Sequence, residues 1–318
     1  MLGKIRKAPE IEWDNPKQWI NSKPLNLSDL KGKVILIDFW TYTCINCVRT
    51  FPALKLIWDK YKNKRFVLFG VHTPEFEFEK EIGNVKYAVK KYGLSWPILN
   101  DPKRINWENY GNSYWPRAAL INSEGKIIFE HIGESGYKEI DEKIAGELVR
   151  LRDFPSDSDI ILEKQREYSP RISHETYAGS LRNGEITGKV CSLNGSCDKY
   201  VDSGSYKSGE IYLNGEWHQG KEYAEYLGKD SSGWIAYLYN AKEVNVVLSG
   251  AGRAEVTLNE IPLKKSNAGE DIIFNDGKSF VNITGGDMYR VISHPNVQSG
   301  VLKIKSFPEM KFFAYTFG

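Results

Sequence analysis

From Val34 to Phe39 the chain reads VILIDF, a short apolar, β-branched run broken only by Asp38, as expected of a strand covered on both faces. Beyond it, Cys47, Phe51, Leu54, Trp58 and Tyr61 recur at intervals of three and four, one face of an amphipathic helix ending near Lys62. Pro52 falls inside that helix and predicts a kink. RFVLFGVH, residues 65–72, predicts a second buried strand, and residues 77–93 predict a charged surface helix closed by Gly93. AALIN, the turn SEGK and IIFEHIG read as a hairpin, and YKEIDEKIAGELVRLRD as a last helix. This order predicts an α/β fold, a central mixed sheet flanked by helices.

The pattern changes at LRDFPSDSDI, where proline, serine and aspartate mark a linker. After it come short alternating segments split by Gly, Asn and Asp, such as GEIYLNGEWHQ, GWIAYLYNAKEVNVVLSG and MKFFAYTFG. They predict an all-β sandwich or jelly roll. The expected domains are residues 1–155 and 156–318, and 318 residues suffice for two cores.

Composition narrows the partners. Lysine plus arginine number 43 against 41 acidic residues, interspersed, so neither nucleic acid nor an anionic membrane is an expected partner. The opening MLGKIRKAPE lacks an apolar signal region and no stretch has membrane-spanning length, which predicts a soluble cytoplasmic chain, or an extracytoplasmic one if the sequence is trimmed.

The four cysteines form two pairs, Cys44 with Cys47 and Cys191 with Cys197. A C-x-x-C between a buried strand and a helix start places Cys44 at the positive end of the helix, where free N–H groups favour thiolate. Cys44 is therefore the expected nucleophile. Cys47, one turn on, shares its face, lies deeper and is the expected resolving thiol. The chemistry is disulfide exchange through a mixed disulfide, with the Cys44–Cys47 disulfide as the redox group and no cofactor or metal. Cys191 and Cys197 bracket an Asn-Gly turn and are candidates for a structural disulfide, worth about 2 kcal/mol for so short a loop. Such a bond would imply an oxidising compartment or a hyperthermophile cytosol.

VILIDFWTYTC resembles the active-site strand of thioredoxin-fold proteins, with Asp38 six residues before the first cysteine and Pro52 eight after it. That resemblance implies a buried Asp38 with a raised pKa that accepts the Cys47 proton. It also implies a cis-proline opposite the cysteines. Of Trp96-Pro97 and Trp115-Pro116, the second leads into the hairpin, so Pro116 is the candidate for pairing with the substrate backbone. Trp40, Tyr42, Trp115 and Arg117 are the candidate substrate-binding residues. FWTYTCINCVRTFPAL, VHTPEFEFEK, HIGESGY, SHETYAGS and FFAYTFG, in this order, resemble DipZ-type thiol-disulfide proteins, a redoxin (TlpA-like) domain followed by a β-sandwich likened to carbohydrate-binding modules. The CcdA-like membrane domain common in that family is not in the sequence. The implied partners are proteins with disulfides or thiols, and an electron donor or acceptor that is either a thioredoxin system or a CcdA-like membrane protein.

Three other readings compete. Thr41 and Cys44 share the T-x-x-C spacing of peroxiredoxin-like peroxidases, but Ile37 stands where those need proline. A zinc site using His72 lacks a second C-x-x-C, and His72 reads as a strand-end histidine bonded to backbone. In the β half, Trp217, Tyr223, Tyr226, Trp234, Tyr237 and Tyr239 are either core or a glycan platform beside a vestigial redox pair. Core packing is the preferred reading, with the domain holding protein substrates or shaping a dimer interface.

Overall fold

A computed structural model describes residues 5–154, 172–182, 185–191 and 198–318. The chain forms two compact units, Met1–Glu167 and Tyr168–Gly318. The expected boundary at 155/156 and Cys197 both lie outside the described residues.

In the first unit a mixed sheet is built from β1 (Arg6–Lys7), β2 (Trp19–Ile20), β3 (Val34–Trp40), β4 (Phe66–His72), β5 (Ile98–Asn100), β6 (Arg117–Ile121) and β7 (Lys126–Ile132). Among the described residues the strand order is β1-β7-β6-β3-β4-β5-β2. β3 lies at its centre, parallel to β4 and antiparallel to β6, and all seven of its residues are buried. The helices are α1 (Ile45–Tyr61), α2 (Ile82–Lys91), α3 (Ile105–Asn109) and α4 (Tyr137–Arg150). α1 runs through Pro52. It is tied to α4 where Lys60 pairs with Asp141 at 2.9 Å and the Tyr61 hydroxyl donates to the same carboxylate at 2.7 Å.

The two faces of β3 serve different ends. Ile35, Ile37 and Phe39 enter one core with Phe69, Val71, Leu99 and Trp107. The alternate residues face the other way, and Trp40 there meets Phe51 of α1 edge-on at 5.3 Å between ring centroids. By the two-residue period, Asp38 faces α1 as well.

The single charged helix expected over 77–93 is corrected to two pieces, a 3₁₀ turn at Glu77–Lys80 and α2, which Gly93 closes at φ +59°. The break puts Glu79 in the interior.

The second unit is all-β among its described residues. Its spine is Trp234–Ser249, which pairs along one edge with Asp287–Lys305. Its other edge is shared, pairing first with Glu210–Gln219 and then with Lys311–Phe317. Bulges in these ladders, as after Ala241, let long strands bend around the core. Trp217, Tyr226, Tyr237 and Tyr239 are buried in that core. Tyr237 packs on Tyr315 within this core at 4.9 Å between ring centroids, although the strand register pairs Tyr315 with Val246. Trp234 is half-buried, with its Nε1 donating to Asp202 at 2.8 Å and the Lys303 ammonium 4.8 Å above its ring.

Gly70 of β4 lies beside Asp38 in register. A Cβ there would meet Trp40 Nε1 at 2.7 Å and Ile98 Cδ1 at 2.8 Å. Gly70→Ala should therefore lower stability by about 1–3 kcal/mol, read as a reduced denaturation midpoint at unchanged m-value.

Candidate active site

The site is assembled where β3 ends and α1 begins. Cys44 is the N-cap of α1, in extended conformation at φ −86° and ψ 109°, and its sulfur accepts the Cys47 N–H at 3.3 Å. Both cysteines are free thiols. Cys44 keeps 8% of its surface exposed and Cys47 none. A sulfur at this position accepts a backbone donor and meets the positive end of the helix, both of which favour thiolate. The Cys47 thiol is pushed well above its ordinary value, first by burial and then by its hydrogen bond to Cys44. The neighbouring Asp38 charge raises it further.

Asp38 is buried, and among the described residues neither carboxylate oxygen has a hydrogen-bond partner. Burial pushes its carboxyl up to about 7. An acid tuned to neutrality beside a reluctant thiol is suited to accept that thiol's proton.

Trp40 and Tyr42 are buried, and Tyr42 stacks on His72 at 5.4 Å. His72, at the end of β4, has Nδ1 at 3.2 Å from Asn100 Oδ1 and Nε2 at 3.4 Å from Thr41 Oγ1. Side chains thus stand near both ring nitrogens, and a backbone hydrogen bond acts on the ring as well. Burial lowers its pKa to about 4, so the ring is neutral.

Trp115-Pro116 is cis, and Trp96-Pro97 is not among the cis bonds. Because β6 starts at Arg117 opposite Phe39, the register brings Pro116 to the end of β3 from which the cysteine loop departs. Trp115 is half-buried and stacks on Trp107 at 4.1 Å. The Arg104 guanidinium lies 4.9 Å and 5.2 Å from the two rings.

The expectation that Trp40, Tyr42 and Arg117 line a substrate groove is corrected. The first two are sealed in the core, and Arg117 is buried against the Tyr110 carbonyl at 2.9 Å and the Glu130 carboxylate. The large hydrophobic side chain exposed in this loop is Tyr114, at 63%, which sequence reasoning missed.

Sequence reasoning also missed Glu79. Fully buried, it accepts the Thr41 hydroxyl at 2.6 Å, the Thr43 hydroxyl at 2.7 Å and the Thr43 N–H at 3.3 Å on one oxygen. Its other oxygen accepts the N–H groups of Glu75 at 2.5 Å and Phe76 at 2.9 Å. Burial raises its carboxyl to about 7 against the pull of these donors.

Residues 7–148 match the Redoxin family, and residues 173–318 match the family described as the thioredoxin like C-terminal domain. Protein DipZ of Mycobacterium tuberculosis (strain CDC 1551 / Oshkosh) is 30% identical over 320 residues, covering 94% of this chain, and the chain spans 41% of DipZ's length. The thiol-disulfide oxidoreductase ResA of Bacillus anthracis is 29% identical over 122 residues, 38% of this chain and 68% of ResA. A thiol-disulfide isomerase from Corynebacterium glutamicum superposes with a TM-score of 0.40 at 21% identity, covering 44% of this chain and 96% of that one. Among the described residues no helix is long and apolar enough to cross a membrane. The chain thus carries a redoxin domain, which holds the dithiol, followed by the thioredoxin like C-terminal domain, and it is similar to DipZ over 94% of its length.

Proposed function

We propose that this chain exchanges disulfides with protein substrates through Cys44 and Cys47. The observation that carries the reading is the asymmetry of the pair: one sulfur stands at a helix N-terminus with some surface exposed, and the other is sealed beside an unpartnered carboxyl. The Cys44 thiolate attacks one sulfur of a substrate disulfide, forming a mixed disulfide and expelling the other substrate sulfur as a thiolate. Cys47 then yields its proton to Asp38 and attacks Cys44. The mixed disulfide breaks, the second substrate sulfur leaves, and the two electrons now reside on the substrate as the Cys44–Cys47 disulfide closes. Return to the dithiol takes two electrons from a partner dithiol, supplied by a thioredoxin system or a CcdA-like membrane protein. In the same reading, the loop ending at Pro116 offers its backbone to the extended substrate and Trp115 flanks it. The all-β unit holds the protein substrate.

A peroxidase reading asks the Thr41 hydroxyl to serve the reactive thiol. That hydroxyl instead donates to Glu79.

Cys47→Ser should accumulate a mixed disulfide in which Cys44 is joined to substrate, seen on non-reducing gels and lost in a Cys44→Ser background. Absence of any trapped protein or peptide disulfide would overturn the reading.

The raised Asp38 pKa also predicts a pH dependence. A carboxyl that is about 7 when folded and about 3.8 when unfolded binds its proton more tightly in the fold. Its contribution to stability is present below pH about 4 and disappears as pH climbs through about 7. Asp38→Asn should flatten that decline and stabilise the protein above pH about 7 by on the order of 2–4 kcal/mol, read by denaturant unfolding at several pH values. It should also slow the Cys47 step, so that the mixed disulfide outlives that of the wild type in quenched-flow sampling.

A further inference from the structure

The five donors on Glu79 converge on a residue that touches neither sulfur. All are N–H or O–H groups, so the carboxylate accepts throughout, and none of the bonds asks it to carry a proton. Two of its partners are the residues that hold the thiols. Thr43 immediately precedes Cys44, and Glu79 grips it through both hydroxyl and backbone. The Thr41 carbonyl accepts the Cys44 N–H at 3.4 Å, and the Thr41 backbone also bonds the Cys47 sulfur. The remaining two donors anchor the carboxylate itself, through the backbone of the loop that follows β4.

We propose that Glu79 is a positioning residue for the thiol pair, which through Thr41 and Thr43 fixes the Cys44 sulfur against the first turn of α1. This deepens the dithiol reading above and rests on it. Cys44 gains the helix N-terminus only while its backbone is held in the extended N-cap conformation, and residues 41–43 leading into it have no regular secondary structure to impose that. A glutamine cannot replace the carboxylate, because its NH₂ would face donors on whichever side it was turned. Charge-assisted bonds to a buried carboxylate are strong enough for their loss to register at the thiol.

The test compares wild type, Glu79→Gln, Thr43→Val and Thr43→Ser as the full reduced chain. The rate of Cys44 alkylation by iodoacetamide is followed across neutral pH by peptide mass spectrometry, alongside thermal midpoints. Glu79→Gln and Thr43→Val should each slow alkylation at neutral pH by about tenfold and move its pH midpoint upward. Thr43→Ser, which keeps the hydroxyl, should match the wild type. The proposal is overturned if either slowed variant keeps wild-type reactivity, whatever its thermal midpoint, since a merely structural Glu79 would change only the midpoint. It is equally overturned if Glu79→Gln accelerates alkylation, the mark of a bare charge effect. Should Glu79→Gln not fold, the contrast of Thr43→Val with Thr43→Ser decides. Alkylation needs no protein partner, so this outcome is read independently of whether Cys47→Ser traps a substrate.

Discussion

The candidate site of this protein depends on where one helix starts. α1 begins just after Cys44, so a single residue is both the N-cap that the helix needs and the sulfur proposed to attack the substrate. The Cys47 N–H that the first turn leaves free is satisfied by that sulfur at 3.3 Å. The same helical turn that supplies this donor carries Cys47 inward, out of water. Division of labour between two identical side chains thus follows from backbone geometry.

The surroundings of that junction impose the rest. A strand buried on both faces has no place for a charge, yet β3 carries Asp38 on its α1 side without a hydrogen-bond partner among the described residues. This desolvation would be a plain cost in a structural protein. In the proposed exchange it puts the proton acceptor near neutrality beside a thiol that resists ionisation. Glu79 is buried too, but its oxygens are filled by donors from two loops. One carboxyl is left unpaired and the other is fully engaged, and that contrast matches the separate roles proposed for them, proton acceptor and positioning residue.

Much of this was legible in the sequence. The apolar run of β3, the periodic face of α1 and the alternating segments of the second unit are local patterns, and they specified the fold class. Cys44 and Cys47 stood out by their spacing at a strand-helix junction, whereas Asp38 and Pro116 were singled out by the resemblance to thioredoxin-fold proteins. Glu79 was hidden because EFEKE reads as solvated charge, and its burial comes from donors at Thr41 and Thr43, 38 and 36 residues away. Trp40, Tyr42 and Arg117 misled for the opposite reason. Their nearness to the cysteines and to Pro116 is visible in the sequence, whereas the packing of His72, Phe51 and Glu130 that closes them off is tertiary. In the second unit, alternation marked the aromatic positions but could not say which face was covered, and the folded core took four of the six.

The central claim is that burial and the helix start make Cys44 the attacking sulfur and Cys47 the withheld one. It is tested most directly by competitive labelling of the reduced wild-type protein at neutral pH with a limiting thiol reagent, each cysteine being quantified by peptide mass spectrometry. The account predicts label on Cys44 with Cys47 essentially unmodified until the protein is unfolded. Equal labelling of the two in the folded protein, or preference for Cys47, would contradict it.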